Sequence, residues 1–311
     1  MHFPGKFSEQ ILAEQLDRIS VSFLVDELVV RRGGVAGNIS YALGVLGQKP
    51  VLVGAVGPDF AEYRSVLEKA GVDTSGVATF DDVHTARFTC TTDDDMRQIA
   101  SFYTGAMARA REIELAPIAE RLGGFEFVHI GANDPEAMLR HTDECREKGY
   151  PFIADPSQQL ARMGGDEVKR LVDGATYLIS NDYEFELLLK KTGWTAQDVA
   201  SRVGTRITTY SEKGSVIVAA DGTETWVDVV PPTETVDPTG VGDAFRAGLL
   251  TGLSGGLPLE RSAQLGALIA TYVLETDGPQ EWTWQRDAAL ARLRDAFGDS
   301  AADEITAALP A

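Results

Sequence analysis

Short apolar runs alternate along the chain with longer amphipathic stretches. The apolar runs predict buried strands at residues 51–55, 127–130, 152–154, 177–179 and 216–219. The amphipathic stretches predict helices at residues 36–46, 60–70, 135–148 and 182–190. Because strands that alternate with helices need crossover connections, this order favours a mostly parallel sheet. Strands that are apolar at nearly every position are typical of a sheet covered on both faces.

Two stretches depart from this pattern and show partial alternation of apolar and polar residues. The first covers residues 19–31. The second covers residues 85–92 and 98–103 and predicts a hairpin, with the aspartates at 93–95 in a solvated turn. We expect a small antiparallel β lid over residues 7–31 and 85–103, and an α/β core over residues 32–84 and 104–311.

Composition and charge exclude several classes of protein. Hydrophobic residues make up 44% of the 311 residues, which is typical of a globular chain rather than a disordered one. The 47 acidic and 28 basic residues give a net charge of −19, so nucleic acid is not an expected partner. Cys90 and Cys145 lack CxxC spacing, so neither a zinc site nor a disulfide framework is expected. No apolar run has the ~18 residues of a membrane span, and we expect a cytoplasmic protein without membrane contact.

Candidate chemistry is concentrated in a glycine-rich run at residues 237–250, DPTGVGDAFRAGLL. It places Asp243 in the first turn of a predicted helix, directly after Gly240 and Gly242. An aspartate at that position also complements the helix dipole, but this alternative does not explain the two glycines. Backbone N–H groups at such a turn can bind an anion, and a neighbouring carboxylate suits deprotonation of a hydroxyl nucleophile.

A second glycine-rich run, RRGGVAGNIS, covers residues 31–40. Its glycines allow close approach of the backbone, and Asn38 supplies both a hydrogen-bond donor and an acceptor. A helix-capping turn would have a similar sequence, so this run alone leaves both interpretations open. The chain contains neither GxGxxG nor GxxxxGK[ST], which argues against a nicotinamide oxidoreductase and a Walker-type nucleotidase.

Together the two runs resemble the N-terminal and C-terminal signatures of the PfkB/ribokinase family of small-molecule kinases. Residues 181–184, NDYE, are similar to the NxxE motif of that family, and the resemblance extends over residues 1–285. The stretches 2–8, 84–92, 99–103 and 155–162 look most similar to bacterial adenosine kinases. The resemblance implies a ribokinase-like three-layer α/β/α sandwich with a mostly parallel central sheet and a small antiparallel β lid.

The resemblance also implies catalytic roles in the C-terminal run. Asp243 would take the proton from a primary hydroxyl of the acceptor. The amides around Gly240, Val241 and Gly242 would hold the charge on the transferred γ-phosphoryl group. Such transition states are loose and the proton leaves late, so an aspartate with a reference pKa near ~3.9 can serve as the base.

The implied nucleotide and metal contacts are spread over three segments. ATP contacts fall on Asn181, Glu184, Thr209, Ser211, Gly214 and Gly242, although Ser211 replaces the first glycine of the TxGxxG turn in relatives. Glu184 would orient Mg²⁺ through water, unless it only forms the polar first turn of a helix. Asp237 and Thr239 match positions that bind K⁺ in relatives. Further positive charge for ATP is expected from Arg87, Arg162 or Arg246.

The implied acceptor-binding residues are Gly34, Asn38, Phe88, Phe102, Gln158, Gln159 and Arg162. Phe88 and Phe102 would sandwich a purine, or alternatively form a two-residue lid core. Gln158 and Gln159 follow the predicted strand 152–154 at its carboxyl end, where α/β sheets bind ligands. Their amides can pair with a purine edge, whereas the alternative interpretation is a solvent-exposed loop.

Relatives begin with a buried strand that carries an aspartate for the sugar hydroxyls, ahead of the segment matching residues 2–5. In this sequence no apolar strand and no aspartate precede Asp17. We therefore expect the ribose anchor to be missing from these residues and the true start to lie upstream. The alternative is a truncated protein with weakened activity.

The sequence as a whole predicts an ATP-dependent adenosine kinase that phosphorylates the 5′-hydroxyl and releases AMP and ADP, as in purine salvage. The expected cofactors are Mg²⁺, ATP as co-substrate and K⁺. A PfkB-family sugar kinase or other nucleoside kinase is one alternative, and a weakened nucleoside-binding protein is another. Because the lid offers exposed strand edges, we also expect a homodimer through residues 19–31 and 85–103.

Overall fold

Helices and strands alternate through the residues described by the computed structural model, which are 1–11, 17–18 and 20–309. The strands are β1 (His2–Phe3), β2 (Val51–Val56), β3 (Asp73–Thr79), β4 (Arg87–Asp93), β5 (Gln98–Tyr103), β6 (Val128–Ile130), β7 (Phe152–Ala154), β8 (Tyr177–Asn181), β9 (Thr205–Thr209), β10 (Ser215–Ala219) and β11 (Glu224–Val227). The helices are α1 (Phe7–Gln10), α2 (Val35–Val45), α3 (Ala61–Lys69), α4 (Ala116–Leu122), α5 (Pro135–Lys148), α6 (Gly165–Val172), α7 (Asp182–Thr192), α8 (Ala196–Ala200), α9 (Val241–Ser254), α10 (Leu259–Leu274), α11 (Arg286–Phe297) and α12 (Asp299–Ala308). The predicted strand 152–154 and helix 135–148 have the bounds of β7 and α5.

The main sheet has the strand order β11-β10-β9-β8-β7-β6. Strands β6 to β9 are parallel, and β10 and β11 pair antiparallel with their neighbours. Along β7, Phe152 and Ala154 join the core formed with α5 to α8, whereas Ile153 joins the core formed with α2 and α9 to α12. Helices therefore cover both faces of the sheet, which confirms the expected three layers.

Strands β2 and β3 form a separate parallel pair beside the main sheet. Within the described ranges, no strand joins β2 to β6, which is the end strand of the main sheet. A cavity of about 380 Å³ lies between them and is lined by Val51, Val53, Val128 and Ile130, among other residues. Strands β2 and β6 thus both border this cavity without pairing to each other.

A third sheet has the order β1-β4-β5. Strands β4 and β5 form a hairpin at the position predicted for the lid. The aspartates at 93–95 form its turn, but the expectation that all three are solvated is wrong for Asp93. This carboxylate is fully buried and accepts the backbone N–H groups of Phe7 at 2.9 Å, Asp95 at 3.0 Å and Arg97 at 2.9 Å. Asp93 therefore ties the hairpin turn to α1.

The strand expected over residues 19–31 is not formed in its described part, 20–31, and Ile19 lies outside the described residues. Glu27 makes one isolated bridge with His2. The two-residue strand β1 is too short to offer residues 20–31 more than this bridge, and it pairs with β4 only at Thr92 and Asp93. Phe23 instead packs on Phe3 and Phe7, with ring centroids 5.1 and 4.8 Å apart.

Both cysteines are free, in agreement with the absence of a disulfide framework expected from their spacing. Cys145 lies in the core beneath the main sheet, where burial raises the pKa of its thiol to about 12. Cys90 is half-buried on β4. No helix in the part of the chain described is long and apolar enough to cross a membrane.

Candidate active site

The turn that starts α9 has the geometry of an anion-binding site. Gly240 has a φ of 82°, in the left-handed region that favours glycine. A Cβ at this position would also lie 2.5 Å from the Cβ of Pro279. The first N–H groups of a helix have no partner four residues earlier within the helix, although Val241 N–H donates to Pro238 O at 3.3 Å. This positive helix end suits a phosphate or another anion.

Asp243 occupies the third position of α9 but does not cap its own helix. Its partly buried carboxylate accepts a hydrogen bond at Oδ2 from Asn38 Nδ2, at 2.8 Å. Burial raises the pKa of Asp243, against the opposing effects of the Asn38 hydrogen bond and of Arg246. A positioned carboxylate with a raised pKa is suited to accept a proton. Complementing the helix dipole does not account for this contact with α2.

A buried ion pair lies one helical turn beyond Asp243. Arg246 Nη2 donates to Asp155 Oδ1 at 2.7 Å, and Arg246 Nη1 donates to the Gly242 carbonyl at 3.0 Å. His129 Nε2 lies 3.0 Å from Asp155 Oδ2. Although burial opposes ionisation, Arg246 and His129 lower the pKa of Asp155 to about 2. Of the three arginines expected to supply positive charge for ATP, Arg246 has its guanidinium bound within the protein, so Arg87 or Arg162 stays the prediction.

The first turn of α7 faces the same region. Asn181 N–H donates to Glu184 Oε2 at 2.9 Å, and Glu184 N–H donates to Asn181 Oδ1 at 2.7 Å. This reciprocal capping box is what the alternative interpretation of the NxxE motif predicts, namely a polar first turn of the helix. Burial tends to lower the pKa of Arg246, but the carboxylates of Asp155, Asp243 and Glu184 raise it above its ordinary value. The Glu184 carboxylate therefore contributes to the electrostatics of the site as well.

Among the described residues, no group of three or more His, Cys, Asp or Glu side chains is placed so that it could hold a metal ion. Asp237 Oδ1 accepts the N–H of Thr239 at 2.8 Å, so this carboxylate closes its own turn. A Mg²⁺ ion keeps most of its waters and binds phosphate oxygens, so a single carboxylate such as Glu184 fits that ion. The K⁺ role of Asp237 and Thr239 stays a prediction.

The turn after β9 contains Ser211, where the nucleotide motif of relatives has a glycine. Ser211 has a φ of 51°, a left-handed conformation in which glycine is favoured and serine is uncommon. Gly214 has a φ of 87°, and a Cβ there would collide with the carbonyl of Val227. The turn thus keeps a glycine-type backbone shape even though Ser211 carries a side chain.

The two glutamines after β7 have different surroundings. Gln159 is buried, and its Nε2 donates to the carbonyl of Asn133 at 2.6 Å. Its Oε1 is buried and finds no partner among the described residues. Gln158 is exposed and accepts the hydroxyl of Ser157 at 2.6 Å, and Arg162 is also exposed. The solvent-loop alternative therefore describes Gln158 and Arg162 but not Gln159.

Phe88 and Phe102 lie directly opposite each other on β4 and β5. Directly opposed side chains of an antiparallel pair point to the same face, so the two rings form one surface rather than two facing walls. Phe88 is 64% exposed and Phe102 is 46% exposed. A single hairpin in this conformation therefore does not form the expected sandwich, and the exposure also argues against a lid core.

The glycine-rich run at the start of α2 forms a turn that starts the helix, and its Asn38 also serves as donor and acceptor toward other elements. Both interpretations that its sequence left open therefore apply. Gly34 is the residue before α2 and has a φ of 95°, and Asn38 N–H donates to its carbonyl at 2.8 Å. The Asn38 side chain instead bridges two other elements, because its Nδ2 binds Asp243 and its Oδ1 accepts from Gln280 Nε2 at 2.9 Å.

Sequence reasoning missed the site residues Tyr63 and Gln280, and it noted Asp155 only as part of a resembling stretch. Gln280 Nε2 donates to the Tyr63 hydroxyl oxygen at 2.5 Å. The one local sign of this contact in the sequence was the glycine at residue 37, since a Cβ there would collide with the Tyr63 hydroxyl. A glycine alone does not reveal which side chain occupies its space, so these partners were not predictable.

Comparison with known proteins identifies the class. The model of the pfkB family of carbohydrate kinases matches residues 10–286. The structure of Burkholderia thailandensis nucleoside kinase in complex with inosine superposes with a TM-score of 0.82 at 35% identity, covering 96% of this chain and 94% of that chain. The fold is thus that of the ribokinase-like kinases, which use ATP as co-substrate. The chain belongs to the pfkB family of carbohydrate kinases, as the resemblance of its glycine-rich runs implied.

Two curated relatives are similar over most of their length. A nucleoside kinase of Methanothermobacter thermautotrophicus is 30% identical over 251 residues, which are 80% of this chain and 80% of that protein. The adenosine kinase of Saccharomyces cerevisiae is 28% identical over 274 residues, which are 79% of this chain and 78% of that protein.

Proposed function

We propose that this kinase phosphorylates the 5′-hydroxyl of adenosine with ATP and releases AMP and ADP, as in purine salvage in the cytoplasm. The observation that carries the proposal is the contact between Asn38 and Asp243 beside the Gly240 turn. This arrangement combines a base of raised pKa with an anion-binding helix end.

In the proposed mechanism, Asp243 Oδ1 accepts the proton of the 5′-hydroxyl while that oxygen bonds to the γ-phosphorus of ATP. The bond from the γ-phosphorus to the bridging oxygen breaks, and ADP leaves. The N–H groups at Val241 and Gly242 stabilise the charge on the transferring group. Glu184 with Asn181 would orient the waters of a bound Mg²⁺, which would supply positive charge to the phosphates.

In this proposal the acceptor is adenosine rather than inosine, and Gln159 Oε1 would accept a hydrogen bond from its base. Gln159 Oε1 is a buried hydrogen-bond acceptor without a partner among the residues described. The exocyclic amino group of adenine donates a hydrogen bond, whereas inosine carries a carbonyl oxygen at that position. Leaving two acceptors face to face in a buried site is unfavourable. The yeast adenosine kinase among the relatives supports adenosine as an acceptor, whereas the Burkholderia thailandensis nucleoside kinase was solved in complex with inosine, so the assay has to compare the two.

The exposed ring surface of Phe88 and Phe102 supports a planar base as ligand. Stacking of a base on an aromatic side chain contributes about 1–3 kcal/mol. In this proposal Gln158 and Arg162 line the outer side of the acceptor, and Gly34 and Asn38 hold its sugar. A sugar kinase would gain nothing from the aromatic surface.

The test is ADP release with ATP, Mg²⁺ and K⁺ held constant. Adenosine, guanosine, inosine, ribose and fructose 6-phosphate are compared as acceptors, with Asp243→Asn as the inactive control. Turnover that is fastest with adenosine supports the proposal. Turnover with a sugar but not with adenosine would assign the protein to the sugar-kinase alternative. Calorimetric binding of adenosine without any turnover would favour the nucleoside-binding alternative.

A further inference from the structure

The segment between α10 and α11 contacts the active site on two sides of Asp243. Pro279 packs against Gly240, where a side chain at residue 240 would overlap it. Gln280 is 5% exposed and donates from Nε2 to Asn38 Oδ1 at 2.9 Å. Asn38 in turn donates from Nδ2 to Asp243 Oδ2 at 2.8 Å. The side chains of Gln280, Asn38 and Asp243 therefore form one continuous chain of hydrogen bonds.

The chemistry of these groups allows only one direction in this chain. An ionised carboxylate accepts hydrogen bonds and donates none, so Asn38 has to present its NH₂ group to Asp243. Its carbonyl oxygen then faces Gln280, which has to present NH₂ as well. Gln280 Nε2 uses its second hydrogen toward the Tyr63 hydroxyl oxygen, at 2.5 Å. The orientation of Asn38 that suits the carboxylate is therefore also the one in which Asn38 Oδ1 can accept from Gln280, so Asn38 is held from both ends.

We propose that Gln280 is a positioning residue, which keeps the NH₂ group of Asn38 directed at Asp243. Without a donor at residue 280, the Asn38 carboxamide can rotate by half a turn and direct its oxygen at the carboxylate. That orientation repels the ionised form of Asp243, which is the form that accepts the substrate proton. The inference rests on the proposed role of Asp243 as the base.

The surrounding structure holds Gln280 in place. Arg31 forms an ion pair with Asp277 and donates from Nη1 to the Asp277 carbonyl at 2.7 Å. The segment that carries Gln280 is therefore attached to the start of the glycine-rich run. The absence of a side chain at Gly37 leaves room for the Tyr63 hydroxyl.

The other charged groups near Asp243 are not partners of Gln280. Arg246, Asp155 and His129 act on the pKa of Asp243 through the buried ion pair and do not contact Gln280. A substitution at residue 280 leaves these three groups in place. A change in the titration of Asp243 would therefore report on the amide chain.

The first test compares Gln280→Met with Gln264→Met. Methionine keeps the length of the side chain but removes the donors. Gln264 is a buried glutamine on α10 that contacts Arg261, so it provides a matched control. For Gln280→Met we expect kcat to fall by about 10- to 100-fold, with the KM for ATP within about twofold. The acid limb of the pH profile should move up by roughly half a unit to one unit, because Asp243 loses a stabilising hydrogen bond.

Two further variants separate orientation from packing. Gln280→Glu keeps the shape but offers Asn38 a carboxylate, which draws its NH₂ group away from Asp243, and it should lose more activity than Gln280→Met. Tyr63→Phe keeps the bond between Gln280 and Asn38 and should lower kcat by less than about threefold. Thermal unfolding of each variant shows whether it is folded. If Gln280→Met is unfolded, the comparison is made with Gln280→Glu instead.

The assay uses whichever alcohol acceptor the wild-type protein turns over fastest, so the result does not depend on adenosine being the substrate. A ¹³C NMR titration of the aspartate carboxyl groups, assigned with Asp243→Asn, reads the pKa of Asp243 without turnover. A folded Gln280→Met protein with wild-type kcat and an unchanged Asp243 titration would overturn the inference. A loss of kcat with no change in that titration would also overturn it, since it would indicate a purely structural role.

Discussion

At the scale of single residues, the chain pairs two aspartates with opposite environments within one site. Burial raises the pKa of Asp243, which has an amide as its hydrogen-bond partner. Asp155 is more deeply buried, but Arg246 lowers its pKa to about 2. One carboxylate is therefore suited to accept a proton, and the other stays ionised and holds α9 against the end of β7.

Replacement of Asp243 by asparagine should lower kcat by at least ~100-fold while the KM for ATP changes little, because the amide cannot accept the proton. In the wild-type protein the base has to be ionised. Activity should therefore fall as the pH drops through a pKa that lies above the ordinary value of ~3.9. Steady-state rates between pH 4 and 9 measure both effects, and a variant with half of the wild-type kcat would rule out this role.

The ion pair between Asp155 and Arg246 should make stability depend on pH in the acid range. The folded-state pKa of Asp155 is lower than its unfolded value, so its stabilising contribution is present above the unfolded value of about 4. It is lost as the pH falls from about 4 toward about 2, and it amounts to about 2 kcal/mol. Chemical denaturation of wild type and Asp155→Asn at several pH values measures this contribution.

Replacement of Arg246 by methionine leaves the Asp155 charge in the core with His129 as its one remaining side-chain partner among the described residues. Breaking a buried ion pair in this way should destabilise the protein by about 3–5 kcal/mol. The double variant Asp155→Leu with Arg246→Met removes both charges and should be less destabilised than the single one. Urea denaturation compares them, and equal stability of single and double variants would contradict a dominant role of the unpaired charge.

At the scale of elements, helix starts carry the candidate chemistry. The N-termini of α2, α7 and α9 contribute Asn38, Glu184 and Asp243, and the loop after β7 contributes Asp155 and the glutamines. First-turn residues of a helix have backbone groups without partners within the helix, so side chains and ligands can bind there. Connections at the carboxyl end of a parallel sheet gather such helix starts on one edge.

The Gly240 turn gives a prediction with a matched control in the chain. Gly240→Ala meets both a left-handed φ of 82° and the Pro279 side chain, whereas Gly256→Ala meets a φ of 76° with open space around it. Both should lose about 1 kcal/mol through backbone strain. Only Gly240→Ala should also lower kcat strongly, because the anion-binding turn has to move. Equal kcat values for the two variants would contradict this view of the turn.

At the scale of the whole molecule, the lid exposes apolar side chains that a soluble monomer would normally cover. Leu24 is 86% exposed, Leu28 is 68% exposed and Val30 is 85% exposed, and Phe88 and Phe102 lie open on the hairpin. Exposed apolar side chains that adjoin one another are typical of an interaction surface. A homodimer through the lid stays a prediction, with these side chains at the contact.

Light scattering at micromolar concentration measures the mass of the particle in solution. We expect a dimer for the wild-type protein and a monomer for Leu28→Glu, because a charge buried without a partner disfavours the contact. Leu122→Glu, on the exposed side of α4, is the control and should stay dimeric. A monomeric wild-type protein would contradict a contact through the lid.

Local features of the chain were determined by the sequence itself. The alternation of apolar runs and amphipathic stretches predicted β7 and α5 with their observed bounds, since burial on both faces of a sheet requires that pattern. The turn before Asp243 was equally predictable from the sequence, because a residue with left-handed φ directly before a helix favours glycine at that position. These signals depend only on neighbours in sequence.

The partners of the active-site side chains were decided by the tertiary structure alone. Asp155 and Arg246 are 91 residues apart, and Asn38 and Gln280 are 242 residues apart. Which strand ends meet depends on the order of strands in the sheet, and no local pattern encodes that order. The same holds for residues 20–31, whose alternation predicted a strand. Only a single bridge is formed there, because β1, the strand that this segment meets, is two residues long.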